Sequence, residues 1–460
     1  MKNQGIITSV QDVKLPMSVK IGYTIGNFAK ALLAVSTAAF LLFFYTDVCG
    51  INPKIASTII LIAKIWDIIN DPMMGAIVDK TISKEGKCRF YLKYFSVPAG
   101  IIFALTFFMP NFAMPGKVAW AAVTYILQGM FSTVLLIPMN TLMGRITANE
   151  KQRVQMSQLA NIFSMAGTMV VTGVTMRIAM AAGGGDMVKG FAVVGVIYGI
   201  AYVLCHLIVF FTTKGYEPLE HLAEDEGQQE EHEINHTPLS ERLGALLKNT
   251  MWLAIIAMFL LNNLAMALEN AALPFYIQYD HGNDQNLYSI FSLVGTVTVF
   301  ADIAVLNILT NKIGVARTAV FGAAVAAAGY FFRLAASDGS TSIITIGWTL
   351  SQFGMGLISC VILLLIFQSR DYGMRKTGVD NEAILMSGFS VSYKTGMAIG
   401  GAIMGYIMPA AYVAGAETQI ESVQHFFFQC STLLPGICNA ICACICVVIY
   451  KFEKGLKSEK

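Results

Sequence analysis

Residues 64–75 read Lys-Ile-Trp-Asp-Ile-Ile-Asn-Asp-Pro-Met-Met-Gly and lie inside a mostly apolar run over 51–79. A helix needs roughly 20 such residues to cross a bilayer, so the run predicts a membrane span. Asp67 and Asp71 lie near its middle, four residues apart. A helix turns about 400° and rises about 6 Å over that spacing, which places both carboxylates on one face with Asn70 beside them.

Two neighbouring carboxylates are costly at membrane depth. Insertion scales give roughly 2.5–3.5 kcal/mol for one ionised aspartate, and stacked like charges cost more unless a positive charge lies between them. We therefore predict that Asp67 and Asp71 bind a cation. The structural alternative is that Lys30, Lys64 or Lys394 neutralises them. Acids at membrane depth often belong to ion or proton pathways, which favours the functional interpretation.

The composition is that of a polytopic membrane protein. Of 460 residues, 55% are hydrophobic and only 13% are charged, with a mean hydropathy of +0.62. A soluble chain carries about 25% charged residues. The net charge of +2 comes without a clustered basic surface, so no nucleic-acid partner is expected. No Walker loop, nucleophile elbow, HExxH or dinucleotide-binding fingerprint occurs, so we expect neither an enzyme nor a cofactor.

The apolar runs predict an all-α membrane protein with twelve transmembrane helices. Their predicted bounds are 20–46, 52–78, 91–112, 117–144, 154–180, 188–213, 251–278, 286–311, 316–336, 341–368, 382–411 and 423–450. Most lysines and arginines fall in the loops of one face, which the positive-inside rule assigns to the cytoplasm together with both termini. The opposite face holds Lys54, Lys117, Arg177, Lys189 and Arg333. We expect a monomer in the bacterial cytoplasmic (inner) membrane.

The chain divides at its one long polar stretch. The predicted parts are an N-terminal six-helix half over 1–213, a solvated cytoplasmic linker over 214–250 and a C-terminal six-helix half over 251–460. An amphipathic helix is expected to begin after Pro238 at the membrane surface. The short, basic, glycine-containing loops 79–89 and 311–317 occupy matching positions six spans apart. This match indicates parallel repeats with a substrate site between them near mid-membrane.

Further polar side chains lie at predicted membrane depth. They are Asn27 and Lys30 in the first span, Gln128, Thr133 and Asn140 in the fourth, Asn161 in the fifth, Asn262, Asn263 and Glu269 in the seventh, Asp302 in the eighth, Gln352 in the tenth and Lys394 in the eleventh. Asparagine and glutamine often serve only as interhelical hydrogen-bonding groups, worth about 0.6 kcal/mol on average. Lys394 needs an anion, for which Asp67 and Asp71 are the candidates. Glu269 and Asp302 have no assigned role and are expected to face water in the cavity.

Several motifs resemble those of the glycoside-pentoside-hexuronide:cation symporters, the melibiose-permease-like branch of the major facilitator superfamily. The motifs are Phe44-Tyr-Thr-Asp-Val-Cys-Gly, Trp66-Asp-Ile-Ile-Asn-Asp-Pro-Met-Met-Gly, Gly86-Lys-Cys-Arg, Ile137-Pro, Asp371-Tyr-Gly-Met-Arg-Lys-Thr-Gly and Tyr393-Lys-Thr-Gly. The similarity covers nearly the whole chain. The motifs around Asp71 and Asp371 are the most specific, and their occurrence in order argues against chance.

The resemblance implies a cation site beside a sugar cavity. The implied cation site consists of Asp67, Asn70, Asp71 and Thr133, which would bind Na⁺, Li⁺ or H⁺, with Asp67 and Asp71 as metal ligands for Na⁺ only. Lys394 is implied to link to these acids, and Lys30 is implied to lie in the sugar cavity. The predicted substrate-binding residues are Lys30, Asn27, Gln128, Asn140, Asn161 and Lys394.

The chain departs from the galactoside-reading pattern of this branch. Ala31, Leu136, Asn140 and Asn161 stand where the melibiose permease has aspartate, aspartate, tryptophan and arginine. The acids of the coupling apparatus are kept while the galactoside-reading groups are replaced. Galactosides are therefore not the expected substrates, and a different glycoside, a uronide or a more apolar solute is open.

These observations predict a symporter of a sugar, glycoside or hexuronide that is coupled to Na⁺ or H⁺ and works by alternating access. Carboxylate, amide and hydroxyl oxygens suit a hard cation, and a protonatable carboxyl suits H⁺ equally well. The alternatives are a symporter of a more apolar or lysolipid-like solute and an uncoupled facilitator. The polar side chains of Lys30, Gln128 and Asn140 favour a hydroxyl-rich small molecule.

Overall fold

The computed structural model describes residues 15–147, 149–217, 239–282, 284–336, 340–378 and 382–458, and every regular element within these ranges is a helix. The predicted all-α class is thereby confirmed. The chain forms two compact units, an N-terminal unit over Met1–Glu231 and a C-terminal unit over His232–Lys460.

The N-terminal unit contains seven described helices. They are α1 (Met17–Phe43, continued by a π-helical turn over Phe44–Val48), α2 (Pro53–Asp79), α3 (Arg89–Tyr94), α4 (Ser96–Thr106), α5 (Met114–Ile146), α6 (Glu150–Gly183) and α7 (Met187–Thr212). The short helices α3 and α4 together correspond to the third predicted span.

The C-terminal unit contains eight described helices. They are α8 (Leu239–Lys248), α9 (Thr250–Asp280), α10 (Gln285–Ile313), α11 (Val315–Arg333, followed by a 3₁₀ turn over Leu334–Ala336), α12 (Thr341–Thr377), α13 (Glu382–Tyr406), α14 (Glu421–Ser431) and α15 (Leu433–Ser458). Helix α8 lies where the amphipathic helix is predicted, and most of the acidic linker before it falls outside the described residues.

Within the described residues, nine helical segments are long and apolar enough to cross a membrane. The three other predicted spans correspond to α2, to α3 with α4, and to α13. Helix α2 carries the charges of Lys64, Asp67 and Asp71, and α4 is apolar but short. The total of twelve therefore stays a prediction, whereas the multi-pass helical architecture is established.

Both units use the same pairing of helices. In the N-terminal unit α1 packs on α6, α2 on α5 and α4 on α7; in the C-terminal unit α9 packs on α13, α10 on α12 and α11 on α15. Counted as spans within each unit, the pairs are first with fifth, second with fourth and third with sixth in both cases. The repeat predicted from two loops thus extends to the packing of whole helices.

Glycines bring the paired helices into close contact. A Cβ on Gly400 of α13 would lie 2.4 Å from the carbonyl oxygen of Leu264 on α9, and one on Gly396 would lie 2.6 Å from that of Leu260. A side chain at either position would push the helices apart. Close approach of this kind replaces the hydrophobic effect as the source of helix association in lipid.

In each unit, a glutamate accepts hydrogen bonds from backbone N–H groups at the beginning of the third span. The Glu217 carboxylate accepts the backbone N–H groups of Cys88 and Arg89 at 2.7 and 3.1 Å, and its Oε1 lies 3.3 Å from Nε of Arg145. In the C-terminal unit Glu453 accepts the N–H of Ala316 at 3.3 Å. Glu217 is only 3% exposed, so this residue at the start of the predicted linker packs against the N-terminal unit, and the bounds of the linker stay a prediction. A carboxylate at a helix N-terminus is stabilised by the free N–H groups there.

Candidate functional site

The candidate cation site lies where α2 packs on α5 in the N-terminal unit. Helix α2 begins cleanly because Pro53 occupies its first turn and the Asn52 side chain accepts the N–H of Lys54 at 3.0 Å. Further along the chain, the helix turns its acidic face towards α5. Residues at a spacing of three or four share that face.

The two acids of α2 meet α5 at positions that are also four residues apart. Thr133 donates its hydroxyl to Oδ1 of Asp71 at 2.9 Å. Oδ1 of Asp67 lies so close to Gly129 that a Cβ there would be 2.4 Å away. Because both contacts advance by four residues along each helix, α2 and α5 run in the same direction. Thr133 and Asp71 are therefore in contact, and their membership of a cation site stays a prediction.

Lys64 supplies a positive charge next to the first acid. Its Nζ lies 3.3 Å from Oδ2 of Asp67 and 5.7 Å from the ring centroid of Tyr125. Lys64, one of the three lysines that the sequence offers as counter-charges, thus pairs with Asp67. The Lys64 side chain is 35% exposed, so the ion pair is partly solvated and weaker than a buried one.

Two polar atoms of this site have no hydrogen-bond partner in the part of the chain that the structure describes. Oδ1 of Asp67 and Nδ2 of Asn70 are buried and have no hydrogen-bond partner among the described residues. Thr133 is 3% exposed, and the Asp67 side chain is 17% exposed. Buried polar groups are normally satisfied, so an unsatisfied carboxylate oxygen beside a second carboxylate indicates a place where a small cation can bind.

The predicted substrate-binding residues occupy different environments. Lys30 on α1, Asn140 on α5 and Asn161 on α6 are exposed, while Asn27 is half-buried and donates to the Thr24 carbonyl at 3.4 Å. Asn27 and Lys30 are three residues apart and share a face of α1. Lys30, Asn140 and Asn161 are therefore accessible, and their contact with a solute stays a prediction.

Two other predicted substrate residues are less accessible. Gln128 is 2% exposed, and neither atom of its amide has a hydrogen-bond partner in the described part of the chain. A solute could reach it only after a movement of the surrounding helices. Lys394 is half-buried on α13 in the C-terminal unit, and its link to Asp67 and Asp71 stays a prediction.

The replaced position Ala31 has a packing role. It is 4% exposed, and its Cβ lies 2.8 Å from the position that a Cβ on Gly167 of α6 would take. The side chain at this position therefore points into the contact between α1 and α6. An aspartate there would need a different helix spacing, which agrees with the loss of the galactoside-reading acid.

The expectation that Glu269 and Asp302 face water is wrong, since they are 1% and 0% exposed. Arg333, which the sequence places at an outer loop, is also completely buried and forms an ion pair of 2.7 Å with Glu269. Tyr330 and Gln352 donate to the other carboxylate oxygen of Glu269 at 2.7 and 3.1 Å. This cluster joins α9, α11 and α12.

The positioning role of Gly129 and the partners of Glu269 are not evident from spacing in one helix. The α5 sequence does contain a signal, because Tyr125, Gly129 and Thr133 recur every four residues opposite Lys64 and the two acids. By contrast, the described residues contain no group of three His, Cys, Asp or Glu side chains that could hold a metal ion. The predicted ligands of the candidate cation site are correspondingly a mixture of carboxylate, amide and hydroxyl groups.

Residues 22–454 match the family model described as MFS/sugar transport protein, so the chain belongs to this family of multi-pass transporters and is not an enzyme. The relatives of this chain confirm its resemblance to the glycoside-pentoside-hexuronide:cation symporters. The chain is 29% identical over 444 residues to the isoprimeverose transporter of Lactiplantibacillus pentosus, covering 96% of this chain and 90% of that protein. It is 27% identical to the inner membrane symporter YicJ of Escherichia coli K12, covering 94% and 91%.

The fold is shared with transporters of distant sequence. A bacterial homologue of the iron transporter ferroportin, solved in its inward-facing state, superposes with a TM-score of 0.65 over 94% of this chain and 98% of that chain. The sequence identity is 13%, so this likeness concerns the major facilitator fold alone.

Proposed function

We propose that this chain is a cation-coupled symporter of a glycoside or hexuronide in the bacterial inner membrane. Asp67, Asn70, Asp71 and Thr133 form its cation site. The observation that carries the proposal is the contact between α2 and α5, where Thr133 donates to Asp71 and the buried Oδ1 of Asp67 has no described hydrogen-bond partner. A visiting Na⁺, Li⁺ or H⁺ supplies the missing partner.

Lys64 sets the competition at this site. Its Nζ lies 3.3 Å from Oδ2 of Asp67 and neutralises part of the negative charge that a bound cation would otherwise neutralise. Cation binding therefore shifts Lys64 away from Asp67 and orders the acidic face of α2. Coupling follows if that ordering also favours the solute, and by linkage the solute must then tighten cation binding by the same factor.

The solute is proposed to be a hydroxyl-rich glycoside. Exposed Lys30, Asn140 and Asn161 offer one cationic donor and two amides, which suit hydroxyl groups or a uronide carboxylate. The relative from Lactiplantibacillus pentosus is named for isoprimeverose, and this sugar is the first compound to test. Hexuronides form the second group, because Lys30 provides a cation for their carboxylate.

The test uses purified protein in proteoliposomes. Uptake of isoprimeverose and of a panel of hexuronides is measured at fixed pH with Na⁺, with Li⁺ and with neither ion. We expect uptake of one compound against its gradient, driven by an imposed ion gradient worth about 2.3 kcal/mol per charge for every 100 mV. Uptake that only equilibrates, without any ion dependence, would identify an uncoupled facilitator instead.

Asp71→Asn tests the site itself. We expect the variant to fold, to lose ion-stimulated accumulation, and to lose the rise in thermal stability that the ion gives the wild type; bound ligand at 100 times its Kd stabilises by about 2.7 kcal/mol. Asp284→Asn is the matched control, since Asp284 is exposed and its capping of α10 is kept by asparagine. Full ion dependence in Asp71→Asn would refute the coupling site.

A further inference from the structure

The eighth predicted span contains a carboxyl group that the cation site does not use. Asp302 lies on α10 in the C-terminal unit and is 0% exposed. Neither of its oxygens has a hydrogen-bond partner among the described residues. An ionised carboxylate in that position would bear the cost of desolvation with no compensating contact, whereas a group that takes up a proton avoids most of it.

The position of Asp302 repeats that of Asp67 in the other unit. Oδ2 of Asp302 lies against Gly356 of α12, where a Cβ would be 1.8 Å away, just as Asp67 lies against Gly129 of α5. Helices α10 and α12 are the second and fourth spans of their unit, as α2 and α5 are of theirs. Each unit therefore packs an aspartate of its second span onto a glycine of its fourth.

The two aspartates differ in what surrounds them. Asp67 has Lys64 at 3.3 Å and stands one helical turn from Asp71, which contacts the Thr133 hydroxyl. Asp302 has no such oxygen or cation within hydrogen-bond distance in the described part of the chain. A metal ion needs several oxygen ligands, whereas a proton needs one. The chemistry at Asp302 therefore suits H⁺ and not Na⁺.

The titratable neighbours of Asp302 do not provide a counter-charge. On α12 the side chain beside it is Cys360, one turn beyond Gly356. On its own helix the next cation is Lys312, ten residues away and about 15 Å along the axis. On α11, Arg333 is paired with Glu269, and Arg317 at the opposite end contacts Tyr450. No ion pair of the described residues includes Asp302.

We propose that Asp302 is a proton-binding site of the C-terminal unit, carrying a proton in this conformation and releasing it when α10 and α12 separate enough to admit water. Buried acids in membrane spans commonly act in proton relays. The proposal does not depend on which solute or ion the site on α2 takes, so either can fail without the other.

Infrared spectroscopy of the purified protein at pH 7 tests the proposal. The wild-type spectrum minus that of Asp302→Asn should contain the C=O stretch of a protonated carboxyl group. The control Asp284→Asn, which replaces an exposed acid at the start of the same helix, should instead remove a carboxylate band. If Asp302→Asn also removes only a carboxylate band, Asp302 is ionised and the proposal is overturned.

A second variant and a second measurement support the test. Gly356→Ala must displace the Asp302 carboxyl group, so the band of the protonated carboxyl should shift in frequency. This variant serves as the test if Asp302→Asn cannot be purified, and an unshifted band would contradict the proposal.

Thermal unfolding gives an independent measurement. Because the proton is bound only in the folded state, the wild type should lose stability relative to Asp302→Asn as pH rises from 6 to 9, by up to about tenfold in the unfolding equilibrium constant per pH unit. Parallel pH profiles of the two proteins would overturn it.

Discussion

At the scale of single residues, glycine decides where the acids of α2 and α10 can lie. Gly129 and Gly356 leave room for carboxylate oxygens of Asp67 and Asp302 against the neighbouring helix. In each case the missing side chain allows a polar group to reach a position that any larger residue would fill. The chemistry of the acid thus depends on a residue that contributes no functional group.

Gly129→Ala is therefore expected to damage ion coupling more than folding. The new Cβ would lie 2.4 Å from Oδ1 of Asp67, so the carboxylate must move away from its place beside α5. We expect at least a tenfold loss of apparent affinity for the coupling ion, equal to about 1.4 kcal/mol, measured by ion-dependent thermal shift or uptake.

Gly144→Ala provides the matched control. Gly144 lies on the same helix and is exposed, and a methyl group added there would have no described atom of another residue within 4 Å beyond its immediate helical neighbours. Alanine should leave ion affinity unchanged and stabilise the helix by about 1 kcal/mol or less. Equal ion affinities in the two variants would show that the contact between Asp67 and Gly129 is unimportant for binding.

At the scale of secondary-structure elements, helix beginnings show how side chains complete the backbone. Helix α7 starts after Asp186, whose Oδ1 accepts the N–H groups of Val188 and Lys189 at 3.1 and 3.2 Å. Lys189 also places its Nζ 3.2 Å from the same carboxylate. The backbone N–H of Lys189 and its side chain lower the pKa of Asp186, with a smaller contribution from the N–H of Val188.

This pKa gives a pH-dependent prediction. A carboxyl whose pKa is lower in the folded state stabilises the fold above its unfolded pKa, near 3.9, and this stabilisation is lost as pH falls through the folded value. Thermal unfolding of the wild type from pH 7 to pH 3 should therefore show a greater loss of stability than that of Asp186→Asn. Asparagine keeps the cap, and Asp186→Ala should be less stable than both at pH 7. Identical pH profiles would contradict this role for the carboxylate.

At the scale of the whole molecule, two units of the same design share one chain. Each unit pairs its spans in the same order. In each unit a glutamate also accepts a backbone N–H at the start of the third span: Glu217, which follows α7, in the N-terminal unit and Glu453, near the end of α15, in the C-terminal unit. The equivalent contacts lie far apart in sequence, so a repeat that is weak in the residues is clear in the packing.

Removing one of these glutamates should loosen only its own unit. Glu217→Ala leaves the N–H groups of Cys88 and Arg89 without their acceptor and Arg145 without its partner, at a cost of roughly 3 kcal/mol for breaking a buried pair. Hydrogen exchange should rise at the start of α3 and the end of α5 while α11 and α15 stay protected. Glu453→Ala is the counterpart and should show the reverse pattern. Equal effects of either variant on both units would refute the independence of the two contacts.

The sequence by itself determined the helical class and the pair of acids on α2, and it predicted the approximate spans and the two-part organisation. These features follow from local properties, because hydropathy and a four-residue spacing on one helix do not depend on which other helix packs against it. The motifs around Asp71 and Asp371, in order with the others, also predicted the transporter family that the family model and the relatives confirm.

Only the tertiary structure decided which groups meet. It buried Arg333 against Glu269 and placed the Glu217 carboxylate at the start of α3. It also left Asp302 buried with neither oxygen hydrogen-bonded among the described residues. Hydropathy assigns charged residues to water or to a cavity, but burial depends on side chains from helices distant in the chain. That dependence on long-range packing is the physical reason that these contacts lie beyond sequence patterns.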